Sequence, residues 1–241
     1  MPNKLLFLEL RRIVAAEFFP NRCPFCYNVI GATQYYCDAC YRHLPFVMGK
    51  SEPPPNISRI YACCRYMRRV RGAVYMLKFR GLIYPADAFA LMMSRMLEGV
   101  NADMLIPVPS SRRSVRKRGF STAEILAKRI SIRLGIPMVC AVKADPDKEE
   151  QKTLSVKERY ENAKRSFFLD SRYDIRGKRV LLIDDVSTTG STLAAIAGLL
   201  REAGAADVSA AVFAKTPDYV RRSREHKLYR IVQRDKGENN A

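Results

Sequence analysis

The stretch formed by residues 180–193, Val-Leu-Leu-Ile-Asp-Asp-Val-Ser-Thr-Thr-Gly-Ser-Thr-Leu, constrains what this chain can fold into more than any other. Val180, Leu181, Leu182 and Ile183 are apolar and partly β-branched, and read as a buried strand. That strand is expected to stop at Asp184 and Asp185, because paired carboxylates are costly deep in a sheet core. Small hydroxyl residues and one glycine follow: Ser187, Thr188, Thr189, Gly190, Ser191 and Thr192. The apolar run 193–200 then has helical spacing. A loop of this kind at a helix N-terminus offers backbone N–H groups and hydroxyls to an anion, and the helix dipole favours phosphate. Residues 187–192 are therefore the candidate phosphate loop, with the acids as a hydroxyl-binding edge beside it. The alternative is an N-capped helix after a buried strand, its acids merely solvated.

A chain of 241 residues with 48% hydrophobic side chains can bury one α/β core and carry a small appendage. Its formal charge of +18 calls for a polyanionic partner or an anionic ligand. The excess lies in residues 65–80, which hold six basic and no acidic side chains, in residues 112–133 and in residues 221–234. Each run alone reads as a solvated basic face, and together they point toward nucleic acid. In the tail, Tyr219 and Tyr229 lie among arginines, a composition suited to stacking on unpaired bases or to partial disorder. The two histidines, His43 and His226, suggest neither a metal site nor a catalytic triad.

Four of the seven cysteines are paired in spacing: Cys23-Pro-Phe-Cys26, ten intervening residues, then Cys37-Asp-Ala-Cys40. Two Cys-x-x-Cys turns close a tetrahedral sulfur site suited to structural Zn²⁺, and four protein ligands leave no open position for catalysis. Paired disulfides or a redox motif are the alternatives, and two close copies argue against a thioredoxin-like motif. Cys63, Cys64 and Cys140 have apolar surroundings and read as core residues. Upstream, residues 5–19 are cut into short apolar groups by Glu9, Arg11, Arg12 and Glu17. This is the pattern of an amphipathic helix packed on the cysteine module, the alternative being a helix on a membrane surface, with no apolar run long enough to span a membrane. A cytoplasmic protein with reduced thiols is expected.

Pro53-Pro54-Pro55 marks a linker, because a proline run forms neither helix nor central strand. The expected organisation is an N-terminal helix and four-cysteine zinc-binding module over 1–50, a main domain over 57–215 and a basic tail over 216–241. Residues 57–67 read as strand, and 70–79 and 86–97 as helices, the second turning Met92, Met93 and Met96 to the core. Lys78 and Arg80 lie near the turn at Gly81, where they either reach an anionic ligand or serve as surface charges. Residues 103–109 form a short strand leading to Ser110, Ser111, Arg112 and Arg113. Ligands bind beyond the C-terminal ends of strands in open parallel sheets, so this loop faces the crevice of Asp184. A helix over 121–134, strands over 138–142 and 166–169, a strand over 179–183, a helix over 191–203 and a strand over 208–214 follow. The charged segment 143–157 has no periodicity and is either functional or loosely ordered. The fold class is α/β, an open and mostly parallel sheet flanked by helices, with a small N-terminal zinc-ribbon module.

The strand, acid pair, hydroxyl loop and helix closely resemble the phosphoribosyl pyrophosphate (PRPP) signature of the type I phosphoribosyltransferases. The order of other motifs is similar to one branch of them, the ComF family of competence-associated proteins, which includes GntX-like proteins. These motifs are the four-cysteine module, Lys78-Phe79-Arg80-Gly81, Ile106-Pro107-Val108-Pro109 with Arg118-Gly119-Phe120, and Gln151-x2-Leu154-x4-Arg159-x2-Asn162-x4-Phe167. The resemblance implies that Asp184 and Asp185 hold the ribose hydroxyls of Mg²⁺-bound PRPP, and that residues 187–192 hold its 5-phosphate. It implies a pyrophosphate or lid role for Lys78, Arg112, Gln151, Arg159 and Asn162. The family's usual Asn-Gln-Ala is replaced here by Ser121-Thr122-Ala123, which leaves any contact of that amide pair open. Purine-salvage relatives carry a carboxylate in the phosphate loop, about where this chain has Thr188. The implied function is phosphoribosyl transfer to an unassigned acceptor, linked to DNA uptake. The alternative is a PRPP-sensing or single-stranded-DNA-binding adaptor with a helicase-like partner.

Overall fold

The computed structural model describes residues 2–49, 51–145 and 166–217. Its frame is a four-stranded parallel sheet of order β1-β6-β5-β2, made by β1 (Ile60–Arg65), β2 (Met104–Pro107), β5 (Arg179–Ser187) and β6 (Asp207–Lys215). The two central strands are apolar on both sides, as a sheet covered by helices requires. Alternation sends Val180 and Leu182 of β5, with Val208, Ala210 and Val212 of β6, into one core. It sends Leu181, Ile183, Ala211 and Phe213 into the other. Helix α7 (Ser191–Glu202) covers the first face with Leu193, Ile196, Ala197 and Leu200. The second face is covered by α3 (Arg68–Phe79), α4 (Pro85–Met96) and α6 (Thr122–Leu134), with Phe89 of α4 stacked on Phe213 at 3.6 Å between centroids.

Two expectations are corrected. A strand over 138–142 is absent: Met138 makes a single parallel bridge with Leu105, and Pro137 has no amide hydrogen with which to lengthen the ladder. The chain then forms β3 (Val142–Ala144), paired antiparallel with β4 (Phe167–Leu169) outside the main sheet. In addition, α5 (Arg112–Arg118) forms where a loop was expected. Ser111 caps it by accepting the Ser114 N–H at 3.3 Å, and Gly119 closes it at φ +81°.

The cysteine module, including α2 (Asp38–Arg42), joins the second core. Cys23, Phe25, Ile30, Cys40 and Leu44 are buried with Phe89, whose ring centroid lies 6.3 Å from that of Phe25. Cys63 and Cys64 are core residues, as expected, whereas Cys140 is only partly buried. Helix α1 (Pro2–Phe18) docks on the module, but through its polar side. The Arg12 guanidinium lies over the Tyr35 ring at 3.7 Å and donates to the Thr33 and Gln34 carbonyls. Tyr35 Oη donates to Glu9, and Arg133 of α6 donates to Tyr35 Oη at 2.8 Å. The apolar stripe of Leu6, Leu10 and Val14 consequently faces outward. Among the described residues no helix is long and apolar enough to cross a membrane. The segment 146–165, with Gln151, Arg159 and Asn162, and the tail beyond 217, with Tyr219, Tyr229 and His226, lie outside the described residues.

Candidate functional site

Strand β5 does not end at the acid pair; it runs through both carboxylates to Ser187. Burial of a charge this deep requires partners, and the fold supplies them from two helices. Asp185 shares the side of Leu181 and Ile183 and is 1% exposed. Its Oδ1 lies 2.7 Å from the Lys78 Nζ, at the last turn of α3, and its Oδ2 accepts the Thr122 hydroxyl at 2.7 Å, from the first turn of α6. Asp184 is half-buried and accepts the Asp185 N–H at 2.8 Å. Burial first, and then the neighbouring Asp185 carboxylate, raise the pKa of Asp184 above the ordinary carboxylate value. Burial alone would lower the Lys78 ammonium, but the two carboxylates outweigh it and leave its pKa raised.

The hydroxyl loop continues from this edge. Ser187 is buried at the end of β5, and its carbonyl accepts the Thr216 N–H at 2.9 Å. The Thr189 hydroxyl accepts the Ser191 N–H at 3.3 Å and lies 2.9 Å from the Ser191 hydroxyl, while Thr188 and Thr192 are exposed. Gly190 caps α7 at φ +79° and brings no side chain to its first-turn amides, leaving that end open to an anion. It is also a close approach: a Cβ there would meet Pro54 Cγ at 2.5 Å. The proline linker thus packs on the turn of the hydroxyl loop. Arg201 of α7 fixes the linker's far end by donating to the Asn56 carbonyl at 2.8 Å and the Ser58 hydroxyl at 2.9 Å.

Pro107 pairs with Ile183, so β2 and β5 end at the same edge of the sheet and residues 108–113 leave it beside the acids. Arg112 is exposed at the start of α5, and no hydrogen bond or ion pair among the described residues joins it to Asp184 or Asp185. Lys78, by contrast, reaches the acid pair directly. Two contributors escaped the sequence reading. Thr122 donates to Asp185, and Ser121 accepts the Glu124 N–H and meets the Ser110 hydroxyl at 3.1 Å. The Ser-Thr-Ala-Glu run was the available signal, because a capping serine three residues before a glutamate fixes where α6 starts. Pro54 had no signal beyond the proline run.

The four cysteines converge as their spacing requires: all four Sγ atoms lie within 4.8 Å of one another. Cys26 and Cys37 are 3.8 Å apart, which is about the edge of a tetrahedron with Zn–S bonds of ~2.3 Å. Cys37 caps α2 and its sulfur accepts the Cys40 N–H at 3.4 Å. Arg69 of α3 donates to Cys40 Sγ at 3.1 Å. The donor set fits a metal such as zinc.

A parallel sheet flanked by helices, with an acid edge and a hydroxyl loop at one helix N-terminus, is the architecture of a type I phosphoribosyltransferase-like fold. Residues 114–239, more than half of the chain, match the phosphoribosyl transferase domain family, and the chain belongs to that family. It is 28% identical over 194 residues to competence protein F of Haemophilus influenzae, spanning 77% of this chain and 82% of that one. It is 29% identical over 201 residues to the DNA utilization protein YhgH of Escherichia coli K12, with coverage of 77% and 86%. These relatives agree with the ComF resemblance. Among solved structures, the adenine phosphoribosyltransferase of Giardia lamblia with 9-deazaadenine is a remote likeness, 19% identical with a TM-score of 0.40, over 59% of this chain and 72% of that one.

The raised pKa of Asp184 has a consequence for stability. Folded protein holds this proton more tightly than unfolded protein, so folding takes up a proton between the two pKa values. Stability is therefore fully present below the unfolded pKa and is lost as pH rises through the folded one. Asp184→Asn keeps the acceptor for the Asp185 N–H and removes the charge. Thermal melts of unliganded protein should place the variant above wild type at about pH 8, with the gap shrinking toward about pH 4. A variant that melts no higher than wild type at the upper pH would refute a strained carboxylate at this position.

Proposed function

We propose that this protein binds PRPP at the edge formed by Asp184, Asp185 and residues 187–192, and acts as a phosphoribosyltransferase of the ComF type in the handling of imported DNA. The observation that carries the reading is the buried Asp185, held by Lys78 and Thr122 beside a helix N-terminus whose N-cap is Gly190. A carboxylate edge fixed in this way is preorganised for a ribose diol, and the adjacent amides and hydroxyls suit a 5-phosphate. In the reaction, an acceptor nitrogen attacks C1 while the bond to pyrophosphate breaks, through a transition state with positive charge on the sugar. The chain contributes positioning: the hydroxyl loop anchors the phosphate, Asp184 aligns the ring, and Lys78 holds Asp185 in place. Mg²⁺ bound with PRPP would neutralise charge on the departing pyrophosphate, with Arg112 available on the exposed rim. Thr188, where purine-salvage relatives carry a carboxylate, disfavours a hypoxanthine or guanine acceptor.

The four cysteines serve as a structural Zn²⁺ site in this reading. They share a core with Phe89 and lie against α3 through Arg69, so the metal would brace the helix that delivers Lys78. A second reading, a PRPP-sensing or single-stranded-DNA-binding adaptor working with a helicase-like partner, draws on the basic, acid-free run 65–80. The names of the two relatives, one for competence and one for DNA utilization, support a DNA context in both readings. A cytoplasmic site of action accords with four reduced cysteines.

Calorimetric titration of PRPP with Mg²⁺ into zinc-loaded protein should give saturable binding that disappears in the Asp184→Asn, Asp185→Asn double variant. Wild-type protein that shows no heat of binding would end the transferase reading. Metal analysis of purified protein should find about one zinc per chain. Cys26→Ser should lower that content and the melting temperature together; full zinc in this variant would move the metal elsewhere.

A further inference from the structure

We infer that the cavity between the cysteine module and the outer edge of the sheet is a ligand site distinct from the acid pair, suited to a nucleoside monophosphate. The chain ahead of the proline linker meets the free edge of β1 in two isolated antiparallel bridges, Phe46 with Cys64 and Ser51 with Ile60. From Phe46 to Ser51 it takes five steps while β1, from Ile60 to Cys64, takes four, so one extra residue must bulge outward. Gly49 makes the turn at φ +81°, a conformation that strains other residues. Beside this bulge lies a cavity of about 850 Å³, within the range of pockets that enclose a small organic ligand. Its walls come from the module, the linker, β1 and the last turns of α4. Neither Lys78 nor the acid pair nor any of residues 187–192 lines it.

The lining holds the three kinds of group that such a ligand needs. Tyr41, Phe46 and Tyr61 supply rings, and Met92 and Met96 supply thioethers, together an apolar and polarisable wall for a flat base. The rings are held in place: Tyr41 stacks on Tyr36 at 4.8 Å between centroids and meets Phe46 edge-on at 5.2 Å. Arg59 and Arg95 supply two guanidinium groups, each steadied by a tyrosine. Arg95 donates to Tyr36 Oη at 2.8 Å, and Arg59 donates to Tyr61 Oη at 3.4 Å. Among the described residues no ion pair joins either guanidinium to a carboxylate, so both charges are free to meet a phosphate. Glu52 is the one acid in the lining, which therefore remains net positive, and with Ser51 it offers oxygens suited to the hydroxyls of a sugar. The inference rests neither on PRPP binding nor on the handling of DNA.

The test is equilibrium dialysis of full-length, zinc-loaded protein against radiolabelled AMP, GMP, CMP and UMP. At least one should bind saturably, and binding should persist with PRPP and Mg²⁺ present and in the Asp184→Asn, Asp185→Asn double variant. Arg59→Met and Arg95→Met, both at exposed positions, should each weaken that nucleotide about tenfold with the zinc content of wild type. Tyr61→Ala should also weaken it, and Tyr61→Phe, which keeps the ring, should lose less. The same nucleoside without phosphate, and ribose 5-phosphate without a base, should each bind at least about tenfold more weakly than the nucleotide. Wild-type protein that binds none of the four nucleotides would overturn the inference, as would unchanged affinity in both arginine variants. Displacement by PRPP, or loss of binding in the double acid variant, would overturn it by placing the nucleotide at the acid edge. Ribose 5-phosphate bound as tightly as the nucleotide would overturn it by removing any recognition of the base.

Discussion

The arrangement depends on one buried charge. Asp185 sits in the central strand at 1% exposure, and a carboxylate there is tolerable only because Lys78 and Thr122 meet both of its oxygens at 2.7 Å. These partners come from the end of α3 and the start of α6, so the ion pair fixes where both helices terminate relative to β5. With Asp185 pinned, its N–H holds Asp184, whose proton affinity is raised by burial and by the neighbouring Asp185 carboxylate. Site and fold therefore share the same few contacts.

Helix α3 links regions that are distant in sequence. Near its start Arg69 donates to Cys40 Sγ, and at its end Lys78 pairs with Asp185. Its buried side, with Val70, Ala73, Val74 and Leu77, lies in the core that also contains the cysteine module and Phe89. A change at the cysteine cluster can thus be felt at the acid pair through a rigid element of about three turns. On the opposite face of the sheet, the proline linker lies against Gly190 and is held at Ser58 by Arg201. The hydroxyl loop is braced from outside as well as by β5.

Much of this was legible in the sequence, and what was not has identifiable causes. The apolar run 180–183, the hydroxyl loop, the helix after it and the paired cysteines carry local patterns that survive any tertiary context. The expected end of β5 at Asp184 was wrong because the compensating lysine lies far upstream, at position 78, and nothing local announces an ion pair across that distance. Helix α5 escaped notice because none of its residues is buried, so it lacks an apolar period and shows only its Ser111 and Gly119 caps. Helix α1 was legible as amphipathic, but the side that docks is the polar one, chosen by the Arg12, Tyr35 and Glu9 contacts. Thr122 was visible as a departure from the family pattern, but nothing local indicated that its hydroxyl bonds Asp185.

The most direct measurement is a double-mutant cycle on equilibrium unfolding with Lys78→Met and Asp185→Asn. If the buried pair organises the site, each single variant leaves an uncompensated buried group. The double variant should then be more stable than the sum of the single losses implies, with a coupling of about 1–3 kcal/mol. Losses that simply add would contradict the account, because Lys78 and Asp185 would then act independently of each other.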